Sequence, residues 1–419
     1  MFNFLLNNNA VKKRCHIYQA IRPHGKHVSF HTPGHKRKGF DVTELGYTDN
    51  LCSPTGCILR AQKDIAEIVG AKRSFILTDG STSGVLAMIY AFADGGGQRL
   101  AIPVFAHKSV KNGCKLTGVI CQEYSAEDLE TRLQEIVNNA DGVLLTSPTY
   151  YGVIPPLQAV KDACQKAGKP LLIDGAHGGH LHGEKYYAGN FADMWVDGVH
   201  KSLPALTQGA VVSAKTELWA KRLENAVDIF RTSSPSYPIM ASVEYAVKYP
   251  ANPRLETLVR ESVCRKERVK INDDWTKVLL LGGKYAFEIQ NELERKGFFA
   301  EFCDGEYVMF YLSPANSVYQ FQALMKAINK VLKKYPYTQT EQALAPVIYS
   351  ADGETEEVEL LEAENRICAK ECGLFPPCTP LIKVGERISG EKIALLQKAN
   401  GTFGLTDGKI TVLKANDEE

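Results

Sequence analysis

Lys201 lies between His200 and Ser202, shortly after the apolar segment Met194–Val199. A lysine at the end of a buried strand loses hydration, which lowers the pKa of its ammonium group. The neutral amine that results can form an imine with an aldehyde. Because most lysines are solvated surface charges, the position of Lys201 alone does not establish this chemistry.

Asp174 ends a second apolar segment, Pro170–Ile173. An unpaired charge is costly to bury, so this carboxyl group needs a cation or an N–H partner. Beside an aldehyde cofactor built on a pyridine ring, Asp174 would keep the ring nitrogen protonated and the ring an electron sink. Capping of a loop or helix by the same side chain is an equally good explanation of Asp174 taken alone.

A turn of small residues lies upstream, where Ser81, Thr82 and Ser83 are enclosed by Gly80 and Gly84. Backbone N–H groups and hydroxyls at the start of a helix favour an anion such as phosphate. A plain N-cap explains one of these hydroxyls but not the group of three.

His107 opens the loop after the next apolar segment. Its ring could lie flat on an aromatic cofactor. Its ring could equally hydrogen-bond to local backbone, and the sequence leaves both possibilities open.

The histidines also permit a metal site. Asp174, His177, His180 and His182 offer four metal-binding side chains within nine residues, and His31 with His35 adds a pair. This pattern allows a zinc or iron hydrolase as an alternative. Because it leaves Lys201 and the Ser/Thr turn unexplained, we predict no metal.

Short apolar runs alternate with helical segments from about residue 73, which predicts an α/β domain with a mostly parallel sheet covered on both faces. The helices are predicted at 83–92, 126–137 and 157–167. The predicted strands are 74–78, 100–103, 118–122, 142–146, 170–174, 194–199 and 210–214. Ligands of such sheets bind beyond the carboxyl ends of the strands, where the residues above are found.

The pattern changes after Ala214. A charged helical region covers 215–270, and an Asp-Gly turn at 304–305 predicts a hairpin of strands 298–302 and 307–312. Helices are predicted at 318–333 and around Ile393, and the acidic run 352–364 is interpreted as a solvated helix face. We therefore expect a smaller α+β C-terminal domain.

Composition excludes several classes of protein. The 419 residues carry 49 Lys and Arg against 48 Asp and Glu, so no global charge favours nucleic acid or an anionic membrane as partner. Eleven scattered cysteines without a CxxC pair indicate a reducing compartment. No apolar run is long enough to span a bilayer. In a signal peptide basic residues precede the apolar stretch, whereas here they follow the apolar stretch 2–6. We expect a cytoplasmic protein.

Taken in order, these motifs resemble the Orn/Lys/Arg decarboxylase family, pyridoxal-phosphate enzymes of the aspartate aminotransferase fold (fold type I). The resemblance covers residues 16–245 and extends through Phe375–Pro380 and Gly385–Arg387. Its motifs are His31–Lys36, Gly80–Gly84, Ala106–Ser109, Ser147–Gly152, Asp174–Gly178, His200–Lys201 and Thr232–Tyr237.

The resemblance implies a role for each matching residue. Lys201 would bond the cofactor aldehyde, Asp174 would pair with the pyridine nitrogen, His107 would stack on the ring, and His177 would lie beside the phenolic oxygen. Residues on the phosphate side would be Ser81, Thr82, Ser83 and His200, together with Thr232 reaching the phosphate of a neighbouring subunit. The active site would then lie at the interface of a homodimer or higher homo-oligomer.

The implied activity is decarboxylation of arginine, lysine or ornithine to a di- or polyamine and carbon dioxide. The implied organisation is an N-terminal arm (1–45), a cofactor-binding large domain (46–270) and a small domain (271–419), in the compact form of the family without an N-terminal wing domain. Gly175 departs from the family, which commonly has Glu after the aspartate. This departure makes a cofactor-binding regulator without activity one alternative. An aminotransferase or an amino-acid lyase is another, because pyridoxal phosphate permits several bond cleavages on the same fold.

Overall fold

The computed structural model describes residues 6–23, 27–36, 39–338, 353–375, 379–399 and 401–414. The chain divides into two compact units, Met1–Leu255 with Ser313–Asn316, and Glu256–Leu312 with Ser317–Glu419. The domain boundaries expected at 45 and 270 stay predictions. Pro376–Cys378 of the FPPCTP motif lie outside the described residues.

The first unit alternates strands and helices as the sequence predicts. Its elements are α1 (Asn9–Lys13), α2 (His16–Ile21), α3 (Cys57–Val69), β1 (Arg73–Leu77), α4 (Gly80–Asp94), β2 (Arg99–Pro103), α5 (Lys108–Thr117), β3 (Ile120–Tyr124), α6 (Ala126–Thr131), α7 (Leu133–Asn139), β4 (Gly142–Thr146), α8 (Leu157–Ala167), β5 (Leu171–Gly175), β6 (Met194–Asp197), α9 (Val199–Ser202), β7 (Ala210–Ala214), α10 (Glu217–Phe230) and α11 (Tyr237–Val247).

All seven predicted strands join one sheet in the order β1-β7-β6-β5-β4-β2-β3. Strand β7 is antiparallel to both of its neighbours, and the other strand pairs are parallel. The carboxyl ends of β1, β2, β4, β5 and β6 therefore meet at one edge. The loops after them carry the predicted site residues.

Several predicted elements differ in their bounds: the strand predicted at 194–199 ends at Asp197 because a helical turn begins at Val199, and the helix predicted at 83–92 runs from Gly80 to Asp94. Two further differences have a clear local cause. Strand β3 begins at Ile120 rather than at residue 118, because Gly118 ends α5 in the left-handed conformation, with φ of 73°. The helix predicted at 126–137 is split at Arg132, whose φ of −127° interrupts the helix between α6 and α7.

Both faces of the sheet are covered, as expected from its apolar strands. Successive residues of β5 alternate between two hydrophobic clusters. Leu171 and Ile173 pack with residues of α2, α8 and α11, whereas Leu172 packs with residues of α4 and α10. This alternation follows from the pleat of a strand buried on both sides.

The second unit is α+β, as predicted. Its elements are α12 (Pro253–Val263, which begins in the first unit), β8 (Val269–Lys270), β9 (Lys277–Leu281), α13 (Ala286–Arg295), β10 (Phe302–Cys303), β11 (Tyr307–Tyr311), α14 (Val318–Leu332), β12 (Thr355–Glu359), β13 (Cys372–Leu374), β14 (Thr379–Ile382), α15 (Gly390–Lys398), β15 (Thr402–Phe403), β16 (Leu405–Thr406) and β17 (Lys409–Leu413).

The predicted hairpin forms, but its first strand is short. Phe302 pairs with Met309 and Cys303 with Val308, so only two residues of β10 join the sheet. Asp304 accepts backbone N–H groups of Glu306 and Tyr307 and thereby forms the turn.

The interpretation of the acidic run as a helix face is wrong. Its residues 355–359 form strand β12, antiparallel to β17. Basic side chains offset the acidic ones, since Arg366 lies 2.5 Å from Glu356 and Lys409 lies 3.8 Å from Glu359. The charge pattern alone does not reveal this strand, because its pairing partner β17 is distant in sequence.

Glu244 on α11 anchors the N-terminal helices of the first unit. Its two carboxylate oxygens accept the backbone N–H groups of His16 (2.6 Å) and Ile17 (2.9 Å). The ammonium of Lys248 lies 2.8 Å from Glu244 and 2.5 Å from Asp64. Because Glu244 is fully buried, this arrangement leaves its charge paired and its oxygens satisfied.

No helix among the described residues is long and apolar enough to cross a membrane.

The Glu244 anchor gives the first prediction. Glu244→Gln should lower the free energy of unfolding by about 3–5 kcal/mol, because it leaves the buried Lys248 ammonium without one of its partners. Urea denaturation measures this change.

The matched control is Glu256→Gln, which removes a similarly spaced ion pair with Arg260 at a largely exposed site. Its effect should stay within about 0.5 kcal/mol. Equal losses in the two variants would contradict the role of Glu244 as an anchor.

Candidate active site

Lys201 and His177 are in direct contact. Strand β6 ends at Asp197, and the single turn α9 then places Lys201 Nζ 3.2 Å from His177 Nε2. Lys201 is half-buried and His177 is buried. This distance allows a proton to be held or moved between the amine and the imidazole.

Tyr150 packs against the same histidine. Its ring meets the His177 ring edge-on, with centroids 4.8 Å apart and an interplanar angle of 72°. Tyr150 comes from the loop after β4, and His177 comes from the loop after β5. Two adjacent strands therefore fix the orientation of one imidazole.

Asp174 is buried at the end of β5, with 4% of its surface exposed. Its Oδ1 accepts the backbone N–H of Ala176 at 3.1 Å. This bond caps the loop after β5, as the alternative explanation from the sequence predicts, and no helix begins at Ala176. One carboxylate oxygen of Asp174 takes part in the cap. Its carboxyl group remains a candidate partner for a ligand cation.

His107 lies close enough to Asp174 and Lys201 for their charges to change its pKa. Burial lowers the pKa of His107, the positive charges of Lys201 and Lys108 lower it further, and the negative charge of Asp174 opposes them. His107 also caps α5, because its Nδ1 accepts the backbone N–H of Ser109 at 3.2 Å. The local bond suggested by the sequence is therefore present, and stacking on a ring stays a prediction.

The small-residue turn opens helix α4 as predicted. Gly80 has a φ of 80°, and its N–H bonds to the carbonyl of Gln208, which ties the turn to the loop after Lys201. The Ser83 hydroxyl donates to the Gly80 carbonyl at 2.9 Å. Ser83 is thus engaged within the turn, while Ser81 is half-buried and Thr82 is exposed at its surface.

His200 bonds to a backbone carbonyl and Thr232 to a carboxylate side chain. His200 Nδ1 donates to the carbonyl of Gly209 at 3.0 Å. The backbone N–H of Thr232 lies 3.4 Å from Asp79 Oδ2, beside the Gly80 turn of the same chain. The role of Thr232 at the phosphate of a neighbouring subunit stays a prediction.

The histidines of the metal alternative are bonded separately. His31 contacts Thr43, His35 pairs with Asp41, and His182 Nδ1 bonds to the carbonyl of Gly179.

Within the described part of the chain, a cluster of three potential metal ligands forms instead from His16, Asp64 and Glu244. The ammonium of Lys248 already supplies the positive charge at that cluster.

Asp197 is a candidate that the sequence reasoning missed. It ends β6 with 3% of its surface exposed, and the Tyr187 hydroxyl donates to its Oδ2 at 2.6 Å. The signal was present, because Asp197 ends the apolar run Met194–Val196 in the way that Asp174 ends Pro170–Ile173.

Comparison with known proteins identifies related sequences. Residues 38–281 match the family described as Orn/Lys/Arg decarboxylase, major domain. Two relatives from Bacillus subtilis each match 91% of this chain over 93% of their own length. One is the uncharacterized protein YaaO, at 29% identity, and the other is an arginine decarboxylase, at 25% identity.

Solved structures show the same fold. The constitutive lysine decarboxylase of Escherichia coli matches with a TM-score of 0.69 and 20% identity, over 96% of this chain and 82% of that one. The structure of SPT with pyridoxal phosphate matches with a TM-score of 0.54 and 13% identity, over 66% of this chain and 76% of that one. The chain therefore has the fold of type I pyridoxal-phosphate enzymes, as predicted.

The second prediction concerns the effect of the Asp174 and Lys201 charges on the pKa of His107. In the protein without added cofactor, Asp174→Asn should lower the pKa of His107 further, because it removes the only one of the named charges that raises it. Lys201→Met should raise this pKa. NMR titration of the His107 ring measures both shifts.

Asp193→Asn is the control, because Asp193 precedes β6 at the opposite edge of the sheet. It should leave the titration of His107 unchanged. A His107 pKa that responds to neither Asp174→Asn nor Lys201→Met would show that the three groups do not share one site.

Proposed function

The chain belongs to the Orn/Lys/Arg decarboxylase family, and from this premise we propose that it removes the α-carboxyl group of a basic amino acid, releasing carbon dioxide and an amine. The observation that carries the proposal is the contact of Lys201 with His177, at the sheet edge that also holds Asp174 and His107. Arginine, lysine and ornithine are the candidate substrates. The proposed cofactor is pyridoxal phosphate.

The residues present fit this cofactor. Lys201 offers an amine for its aldehyde, and Asp174 offers a buried carboxyl group for its ring nitrogen. The start of helix α4 offers the hydroxyls of half-buried Ser81 and exposed Thr82 for its phosphate. When bound, pyridoxal phosphate withdraws electrons from the bond that breaks at the α carbon of the substrate.

The buried position of Asp174 strengthens its action on a ring nitrogen. In a site with little water, a negative charge beside a pyridine N–H keeps that proton in place more effectively than an exposed carboxylate would. His107, which is neutral when its pKa is lowered, can pack on an aromatic ring without adding a competing positive charge.

His177 is the proposed proton carrier at Lys201. Its Nε2 lies at hydrogen-bond distance from Lys201 Nζ, so it can accept a proton as the lysine bonds an aldehyde and return it when the lysine is released. The edge-on contact with Tyr150 limits rotation of the imidazole and keeps Nε2 directed at the amine.

Gly175 supports a second candidate, a cofactor-binding protein without decarboxylase activity. A Cβ atom built at Gly175 would lie 2.9 Å from the carbonyl oxygen of Val196, so the backbone here excludes the Glu that is common in the family. The charge that such a Glu would bring is absent, and the site could hold the cofactor without completing the reaction.

Three further proposals come from the sequence. A homodimer would bring Thr232 of one subunit to the phosphate site of the other, and the protein would act in the cytoplasm. The large and small domains proposed from the sequence, 46–270 and 271–419, would divide cofactor binding from substrate selection.

Bonding of the cofactor to Lys201 is the third prediction. Protein incubated with pyridoxal phosphate should absorb visible light, and borohydride should fix the cofactor on the peptide that contains Lys201. Lys201→Ala should remove both signals and lower carbon dioxide release from arginine, lysine or ornithine by about a thousandfold or more.

Lys215→Ala is the matched control, because Lys215 is a lysine whose pKa burial lowers and which bonds to backbone carbonyls of Gly70 and Gly189, away from the proposed site. This variant should keep the label and the activity. A keto acid product would favour an aminotransferase, and cofactor bound without turnover of any amino acid would favour the regulator. Label found on another lysine would contradict the assignment.

A further inference from the structure

Asp197 is a buried acid on the opposite face of the sheet from Asp174. The pleat places Asp197 on the face of Trp195, whereas Asp174 shares the face of Leu172. The Tyr187 hydroxyl donates to Asp197 Oδ2 at 2.6 Å and accepts the Trp195 Nε1–H at 2.8 Å. Asp197 Oδ1 is buried and has no hydrogen-bond partner among the described residues.

The loop that carries His177 packs directly onto Asp197. A Cβ built at Gly175 would lie 3.4 Å from Asp197 Oδ1, and one built at Gly179 would lie 3.6 Å from Asp197 Cβ. A Cβ at Gly198 would lie 2.4 Å from the carbonyl oxygen of Ala176. Because Gly175, Gly179 and Gly198 have no side chains, the loop 176–180 and the end of β6 can approach each other more closely than larger residues would permit.

We propose that Asp197 is the positioning residue for the loop 176–180, and that its carboxyl group fills the place of the side chain missing at Gly175. The proposal rests on the proposed function only in that the loop presents His177 to Lys201. The carboxyl group is supplied by strand β6 instead of by residue 175.

The physical basis is the cost of a charge at Asp197 Oδ1. Burial raises the pKa of Asp197 to about 7. Hydrogen bonding by Tyr187 and Trp195 favours the ionised form and lowers this pKa, but burial has the larger effect. Above that pH, a negative oxygen without a partner would lie beneath the loop. The loop must then shift or admit water, which would loosen the contact of His177 with Lys201.

Other titratable groups stand near this carboxyl group. Tyr187 faces it, His177 and His180 belong to the loop packed over it, and His200 and Lys201 follow it in sequence. Any of these could contribute to a pH response, so the test must isolate Asp197.

The experiment compares the full-length wild type with Asp197→Asn, an uncharged isostere, and with Asp197→Ala. Hydrogen exchange of the amides of residues 176–180 is measured at pH 6 and pH 8, corrected for intrinsic rates, without and with pyridoxal phosphate. Cofactor affinity is measured at the same pH values. Asp193→Asn is the control, since Asp193 is a partly buried acid of the same strand region whose pKa burial also raises.

Wild type should lose about tenfold in loop protection and in cofactor affinity between pH 6 and pH 8, a coupling of ordinary size. Asp193→Asn should follow the wild type. Asp197→Asn should show no loss of loop protection and a smaller loss of affinity, because the cofactor has its own titrations. Asp197→Ala should have low protection at both pH values. If Asp197 had a purely structural role, Asp197→Asn and Asp197→Ala would lower loop protection and cofactor affinity alike, and the pH response of both would stay that of the wild type.

The proposal is overturned if Asp197→Asn keeps the wild-type pH response, or if wild-type loop protection is the same at both pH values. Failure of the proposed function is distinguishable. If the wild type binds no pyridoxal phosphate, the function fails, while exchange of the loop in the cofactor-free protein still decides the role of Asp197.

Discussion

The contact between Lys201 and His177 is the interaction on which the site depends. It joins the loop after β5 to the turn after β6, two segments brought together only because their strands are parallel neighbours. An amine and an imidazole at 3.2 Å can exchange a proton, but only if neither side chain is free to rotate away. Much of the first unit can be understood as the support for that geometry.

The support comes from burial on both faces of the sheet. The central strands β4 and β5 place alternate apolar side chains in two separate hydrophobic clusters, one on each face of the sheet. Polar groups then occur where the strands end, and several of them have hydrogen bonds that compensate for their burial. Asp174 accepts a backbone N–H, His107 caps α5, and Ser83 bonds within its own turn. A rigid apolar sheet with polar ends is an arrangement that can hold a flat, charged cofactor at one edge.

The sequence predicts this part of the protein well for a physical reason. Buried parallel strands need continuous apolar residues, and their ends need Gly, Asp or Ser, so the seven strands are visible as runs and the site as the residues that follow them. Lys201 lies beside His177 because β5 and β6 are adjacent, and the family resemblance implied the same neighbourhood by placing both residues at one cofactor.

Features set by distant contacts were not visible in the same way. Strand β12 was taken for a helix face because its partner β17 lies about fifty residues away. Asp197 cannot be recognised from the sequence in this way, because its significance comes from Gly175 and Gly179, whose lack of side chains matters only once the loop is folded over β6.

The bonding of the cofactor to Lys201 is tested most directly by a crystal structure of the protein grown with pyridoxal phosphate. We expect continuous density from Lys201 Nζ to the cofactor, with Asp174 at the ring nitrogen. Cofactor bound at another place, or an unmodified Lys201 beside it with Asp174 turned away, would contradict this expectation.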